Sequence, residues 1–126
     1  LNFAQGDGHN LKPQFADYDL VICHRVIEYS YHPEMLLKQL SQRVKAGGVV
    51  VIGSSYGWNE DITDKKHWIG GVKRNGENLS SEAHLLDIMQ DQFELLQQAD
   101  IVSQFELDKR TSQTANNHIT IWRKKS

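Results

Sequence analysis

The 126 residues, 39% hydrophobic and 24% charged, have the composition of one soluble globular domain with a single core. A formal charge of -2 supplies no positive field to draw the chain to nucleic acid or anionic lipid, so the expected partner is a small molecule or another protein. The single cysteine, Cys23, excludes an internal disulfide, and the longest apolar stretch, "VVVI" at 49–52, is far below the roughly 20 residues of a membrane span. A reducing, cytoplasmic setting fits this pattern, with no membrane association.

The chain opens, without a methionine, close to an acidic turn, Gly6-Asp7-Gly8. After turn-forming Asp17, the run from Tyr18 to Cys23 is continuously apolar apart from Asp19, which is the pattern of a parallel, central strand buried on both faces. Pro33 suits the first turn of a helix whose Leu36, Leu37, Leu40 and Val44 recur at helical spacing, and Gly47-Gly48 are placed to stop it. "VVVIGSS" follows as a second β-branched strand, so residues 18–54 have the length of one right-handed βαβ crossover.

Residues 55–79 show no sustained period and carry Gly, Asn and bulky aromatics, the composition of a long ordered loop. Ser80 or Ser81 can cap a second helix with Leu85, Leu86, Ile88 and Met89 on its apolar face, ending near Asp91. A strand is expected at Phe93–Leu96, continuing after a bend through Ile101 to Leu107. The polar stretch 108–117 then reads as a turn, and "HITIWRKK" as a final strand that closes the sheet edge as an antiparallel pair.

In an open α/β sheet, ligands collect outside the carboxyl ends of the parallel strands. That rule nominates Cys23 through Glu28 after the first strand and Ser54 through Trp58 after the second. Asp7 and Gly8 form a third candidate, since small residues admit a flat ligand to the backbone while the carboxylate accepts from an amine or hydroxyl. The same Asp7 pattern also describes a turn aspartate accepting from its own backbone. Cys23 reads as a small buried hydrophobe as readily as a nucleophile. Tyr56, Trp58 and Trp68 are either loop anchors or a lid over a planar or cationic substrate. The six histidines show neither an i,i+4 pair of their own nor an adjacent carboxylate pattern such as HExxH, so no metal site is expected.

The order "GDGHNL", "DYDLVICHRVIEY", helix, "VKAGGVVVIGS", helix and closing hairpin resembles the second half of a class I S-adenosylmethionine-dependent methyltransferase. A narrower resemblance, carried by "SSYGWNEDITDKKHWIGGVKRNGENL" and "ITIWRKK", is to the C-terminal methyltransferase domain of ovothiol-biosynthesis enzymes, which methylates an imidazole nitrogen of a thiohistidine. The resemblance implies an α/β, Rossmann-like sheet with family strand order 3-2-1-4-5-7-6, and S-adenosylmethionine as cofactor. It places Asp7 and Gly8 beside adenine, and Cys23, His24 and Arg25 near the methionyl part. Tyr56, Trp58 and Trp68, with Arg25, then face the acceptor, and Tyr56 and His24 are the candidates for orienting it in catalysis. Lys66, like Arg25, could meet a substrate carboxylate, the other reading of Lys66 being a solvated loop cation.

The family's glycine-rich loop and ribose-binding acid have no counterpart here. The expectation is therefore a partial methyltransferase domain over 1–126, inactive alone, whose first strand finds cover either in a missing N-terminal half or in a second copy as a homodimer. The competing reading is a non-catalytic interaction or folding module. A nicotinamide-dependent oxidoreductase is disfavoured by the antiparallel closure and the lack of GxGxxG.

Overall fold

The computed structural model describes residues 5–74 and 77–126, without the side chains of 72–79. A four-stranded sheet has the order β1-β2-β6-β5. Strand β1 (Tyr18–His24) runs parallel to β2 (Val44–Ser54), and helix α1 (Pro33–Gln42) connects them. Strand β6 (Ser112–Lys124) lies antiparallel between β2 and β5 (Phe93–Glu106), and helix α2 (Ser81–Met89) precedes β5.

Local chemistry accounts for the helices. His32 caps α1, its Nδ1 accepting from the Met35 N–H at 3.2 Å, and Pro33 occupies the first turn where no N–H is needed. Ser80 caps α2 by accepting from the Ala83 N–H. The register places Val21, Cys23, Val50, Ile52 and Trp122 on one sheet face. There they share a core with Leu36 and Leu37 of α1 and Leu85 and Met89 of α2. Trp122 is the largest fully buried side chain, and its indole N–H donates to Thr120 Oγ1 at 2.7 Å, so the ring can be buried without an orphaned donor.

Several sequence expectations need correction. The Gly47-Gly48 pair does not end α1, which stops at Gln42 with Arg43 as its cap; both glycines lie inside β2. There the register slips between Tyr18↔Val44 and Leu20↔Val49, and Gly47 takes a φ of +81° to absorb the extra residues. Strand β1 is parallel, as expected, but it is an edge strand of this sheet. Of its residues only Cys23 is buried, because the face bearing Leu20 and Ile22 carries no helix among the described residues.

The stretch 55–79 is not all loop: Val72–Arg74 (β3) pairs antiparallel with Glu77–Leu79 (β4). The polar "turn" at 108–117 is shorter than expected, since β6 begins at Ser112 and pairs with β5 as far as Glu106. Asp108 closes the tight connection by accepting from the Arg110 and Thr111 N–H groups, both at 2.8 Å. The bend expected near Leu96 is a register irregularity between Leu95 and Gln97 within one continuous strand. Among the described residues, no helix is long and apolar enough to cross a membrane.

Candidate functional site at the carboxyl ends of the parallel strands

Strands β1 and β2 end side by side, at His24 and Ser54, and each is followed closely by a non-glycine residue in the left-handed region. Arg25 has a φ of 56° and Tyr56 a φ of 57°. Such conformations are sparsely populated and hold only where neighbours over-determine them. For Arg25 one constraint is its N–H, which donates to the Gly53 carbonyl at 2.6 Å. For Tyr56 it is the N–H donated to Ser54 Oγ at 3.0 Å.

Beneath Tyr56 the buried Ser54 hydroxyl also donates to Glu28 Oε2. Glu28 is itself buried, and its other carboxylate oxygen has no hydrogen-bond partner among the described residues. The Tyr56 hydroxyl lies 2.7 Å from His118 Nδ1, and His118 Nε2 lies 2.9 Å from Gln98 Oε1. Burial, then the carboxylates of Glu82, Asp100 and Glu28, push the Tyr56 phenol well above its usual range, so the side chain stays neutral.

The acidic turn is tied to this region by a second hydrogen-bonded chain. Asp7 Oδ1 accepts from the His9 N–H and lies 2.9 Å from His9 Nδ1, which holds its carboxyl below the usual carboxylate range. His9 Nε2 meets Ser30 Oγ at 2.5 Å, and the ring stacks on Tyr31. The Thr63 hydroxyl donates to the Ser30 carbonyl, and the Trp68 indole N–H donates to the Thr63 carbonyl at 2.8 Å. Asp7 thus accepts from its own turn, as the local pattern allowed. Gly8 presses on α1 so closely that a Cβ would stand 2.5 Å from Leu36 Cδ1. Gly6 and Gly8 line an open groove of about 650 Å³ with Leu11, Phe15, Val21 and Leu40. The groove is mainly apolar, with Gln5 and Arg43 at its polar margin, while the Asp7 carboxylate faces His9.

The structure therefore distributes the nominated residues. His24 pairs in register with Gly53 on the open sheet face, whereas Ser54 and His118 lie on the opposite, helix-covered face, and Tyr56 turns to that side. The Arg25 guanidinium stacks 4.2 Å from the Phe105 ring centroid, reaching the far end of the β5–β6 hairpin. The Cys23 thiol is in the core and is pushed up to about 12, first by burial and then by the Glu28 charge, which removes it as a nucleophile near neutral pH.

The tryptophans act as anchors: Trp58 Nε1 donates to Ser81 Oγ at the start of α2, and Trp68 holds Thr63. Trp58 also stands 6.4 Å from the Tyr56 ring, which makes the two the aromatic wall of the strand tips. Glu28 lies in the segment nominated after the first strand, whereas two further side chains, His118 and Gln98, enter the site without having been singled out from the sequence. The signal for His118 is its place as the first residue of "HITIWRKK": an antiparallel strand beside β2 must set its early residues opposite the end of β2. Among the described residues, no group of three His, Cys, Asp or Glu side chains is placed to hold a metal ion.

Residues 1–52 match the family model of a Methyltransferase domain. Among solved structures, a Bacillus halodurans protein described as a putative methyltransferase superposes with a TM-score of 0.65 at 11% identity, covering 100% of this chain and 78% of that one. The N-methyltransferase NodS of Bradyrhizobium japonicum, in complex with S-adenosyl-l-homocysteine, gives 0.60 at 13% identity, covering 98% and 54%. A methyltransferase of Thermotoga maritima described as a possible histamine N-methyltransferase gives 0.54 at 19% identity, covering 95% and 62%. At such identities the likeness is one of fold: the sheet has the partial Rossmann-like arrangement that these structures share. The chain spans 54% to 65% of the length of several of these structures. A search of the curated proteins found no match.

Proposed function

We propose that the chain is the second half of an S-adenosylmethionine-dependent N-methyltransferase whose acceptor is an imidazole of the thiohistidine kind. The observation that carries this reading is the sheet order β1-β2-β6-β5, in which the last strand inserts antiparallel beside β2 and brings His118 to the tip of β2. The methyltransferase-domain match over residues 1–52 supports it independently.

The cofactor supplies a methyl group on a sulfonium, and the protein's task is to align acceptor and methyl and to exclude water. Asp7 and Gly8 would hold the adenine; the backbone at Cys23, with His24 and Arg25, would hold the methionyl part. Tyr56, Trp58 and Trp68 would bound the acceptor, with Arg25 available to an acceptor carboxylate. Of the two groups nominated to orient the ring, Tyr56 is favoured over His24 because its hydroxyl is already fixed by a side chain behind it. The narrower assignment to a thiohistidine rests on the "YGWNEDIT…WIGG" resemblance and gains support from the fold likeness to the Thermotoga protein.

Calorimetry with S-adenosylhomocysteine on this chain, and on a version extended at its N-terminus, tests the proposal. Binding is expected, and tighter in the extended version. A second reading, an interaction module without cofactor binding, is favoured by the exposed Leu20 and Ile22 on β1. Absence of binding in both versions would select it.

A further inference from the structure

The Tyr56 hydroxyl does not end in solvent or in a backbone contact; it ends on an imidazole that is itself held from behind. With the Gln98 carbonyl oxygen facing His118 Nε2 at 2.9 Å, that nitrogen must carry the proton. Nδ1 is then a bare acceptor 2.7 Å from the Tyr56 oxygen, so the phenol donates its proton inward. No described residue donates to the Tyr56 oxygen, whose lone pairs remain for a donor from outside the protein. His118 is buried, and such a tautomer-fixed, desolvated imidazole is more than packing requires.

We propose that His118, acting through Tyr56, takes up the proton that a nitrogen acceptor must lose on methylation, so that the site serves acceptors bearing an N–H. This rests on the methyl-transfer reading above and assigns the class of acceptor and the route of its proton. The acceptor nitrogen's lone pair forms the N–CH₃ bond while the donor's C–S bond breaks, its electron pair leaving with sulfur as a thioether. The surplus N–H proton passes to the Tyr56 oxygen as the phenol's own proton passes to His118 Nδ1. Tyr56 ends as a neutral phenol and His118 as an imidazolium, which returns its proton to solvent after product leaves.

The surroundings suit that direction of transfer. Carboxylates bear on Tyr56 from three elements: Glu28 after β1, Glu82 in the first turn of α2, and Asp100 on β5, the last directly opposite His118 in the ladder. They disfavour a phenolate on Tyr56, so the phenol passes its own proton on rather than resting ionised. A carbon or thioether acceptor has no N–H to offer the Tyr56 lone pair and would make no use of the arrangement.

Histidine-selective ¹⁵N NMR on the wild-type chain should show His118 protonated at Nε2 and bare at Nδ1; the opposite tautomer would overturn the proposal without any variant. In the full-length protein, His118→Asn leaves an oxygen in the neighbourhood of Nδ1 that can hold the Tyr56 hydroxyl but cannot carry a proton away. Methyl transfer to an imidazole acceptor should then fall about 10²-fold or more in kcat, with acceptor KM and calorimetric S-adenosylhomocysteine affinity unchanged. Normal donor binding with wild-type turnover in His118→Asn would overturn the relay alone. Failure of the wild-type protein to bind donor would overturn the methyl-transfer reading and the relay with it.

Discussion

The Cys23 thiol belongs to the same buried cluster as Ile27, Leu36 and Ile52, and removal from water, with a smaller repulsion from Glu28, moves it from 9.0 to about 12. Between those two values the unfolded chain has lost the thiol proton while the folded chain keeps it. Stability from this group is therefore complete below pH 9 and falls by about 1.4 kcal/mol per pH unit as pH rises toward 12. Urea unfolding of wild type and Cys23→Ala across this range should give a difference in free energy that shrinks with pH; a pH-independent difference would mean that the thiol is not held protonated. Ser54 offers a second residue-level test. Its hydroxyl supports both Glu28 and the left-handed Tyr56, so Ser54→Ala strips a buried carboxylate oxygen and a backbone N–H of their partner. A loss of about 1–3 kcal/mol is expected, seen as a lower urea midpoint at unchanged slope.

At the scale of elements, the parts of the chain packed on one core were legible and the parts outside it were not. The strand–helix–strand unit from Tyr18 to Ser54 announces itself because burial imposes a pattern on Leu36, Leu37, Val50 and Ile52. The outer half of the β5–β6 hairpin is different: from Ile101 to Ser112 nearly every side chain is exposed, so no alternation marks the ladder, and the sequence pattern places the start of β6 six residues late. The β3–β4 pair is missed because strands of three residues are too short to show a period. For the site, the strand tips were readable from fold rules, whereas the Tyr56–His118 contact depends on a register no local pattern reveals.

The segment that carries Trp58 and Trp68 is locked to α2 at Gly70, where φ is +70° and a Cβ would meet the Ser80 backbone at 2.5 Å. Backbone on both sides cannot yield cheaply, so Gly70→Ala should cost about 1–3 kcal/mol and lower Tm. Gly57→Ala, with a side-chain hydroxyl at 3.4 Å as its nearest neighbour, is the control expected to change Tm little. Equal effects of the two would mean that Gly70 is not a fixed point of the loop.

For the molecule as a whole, the decisive feature is a sheet with one clothed face and one bare one. Opposite the helices, the register aligns Leu20 with Val49, Ile22 with Val51, and Val51 with Ile121, while Ile119 follows on β6 beside Gly53. Leu20 is 53% and Ile22 64% exposed on a parallel edge strand whose outer backbone groups have no neighbour among the described strands. An apolar face joined to an open edge is a template for pairing, and water alone is a poor cover for it. We expect the 126-residue chain to self-associate through β1, giving a concentration-dependent mass in sedimentation. A charge placed at the edge by Ile22→Lys should shift it toward monomer without unfolding it, since that side chain contributes little to the core. An N-terminally extended chain whose added segment covers β1 should be less prone to self-association than the 126 residues alone. A wild-type chain that stays monomeric at high concentration, with the β1 amides slow to exchange, would show that the edge needs no partner and that its apolar side chains are tolerated in solvent.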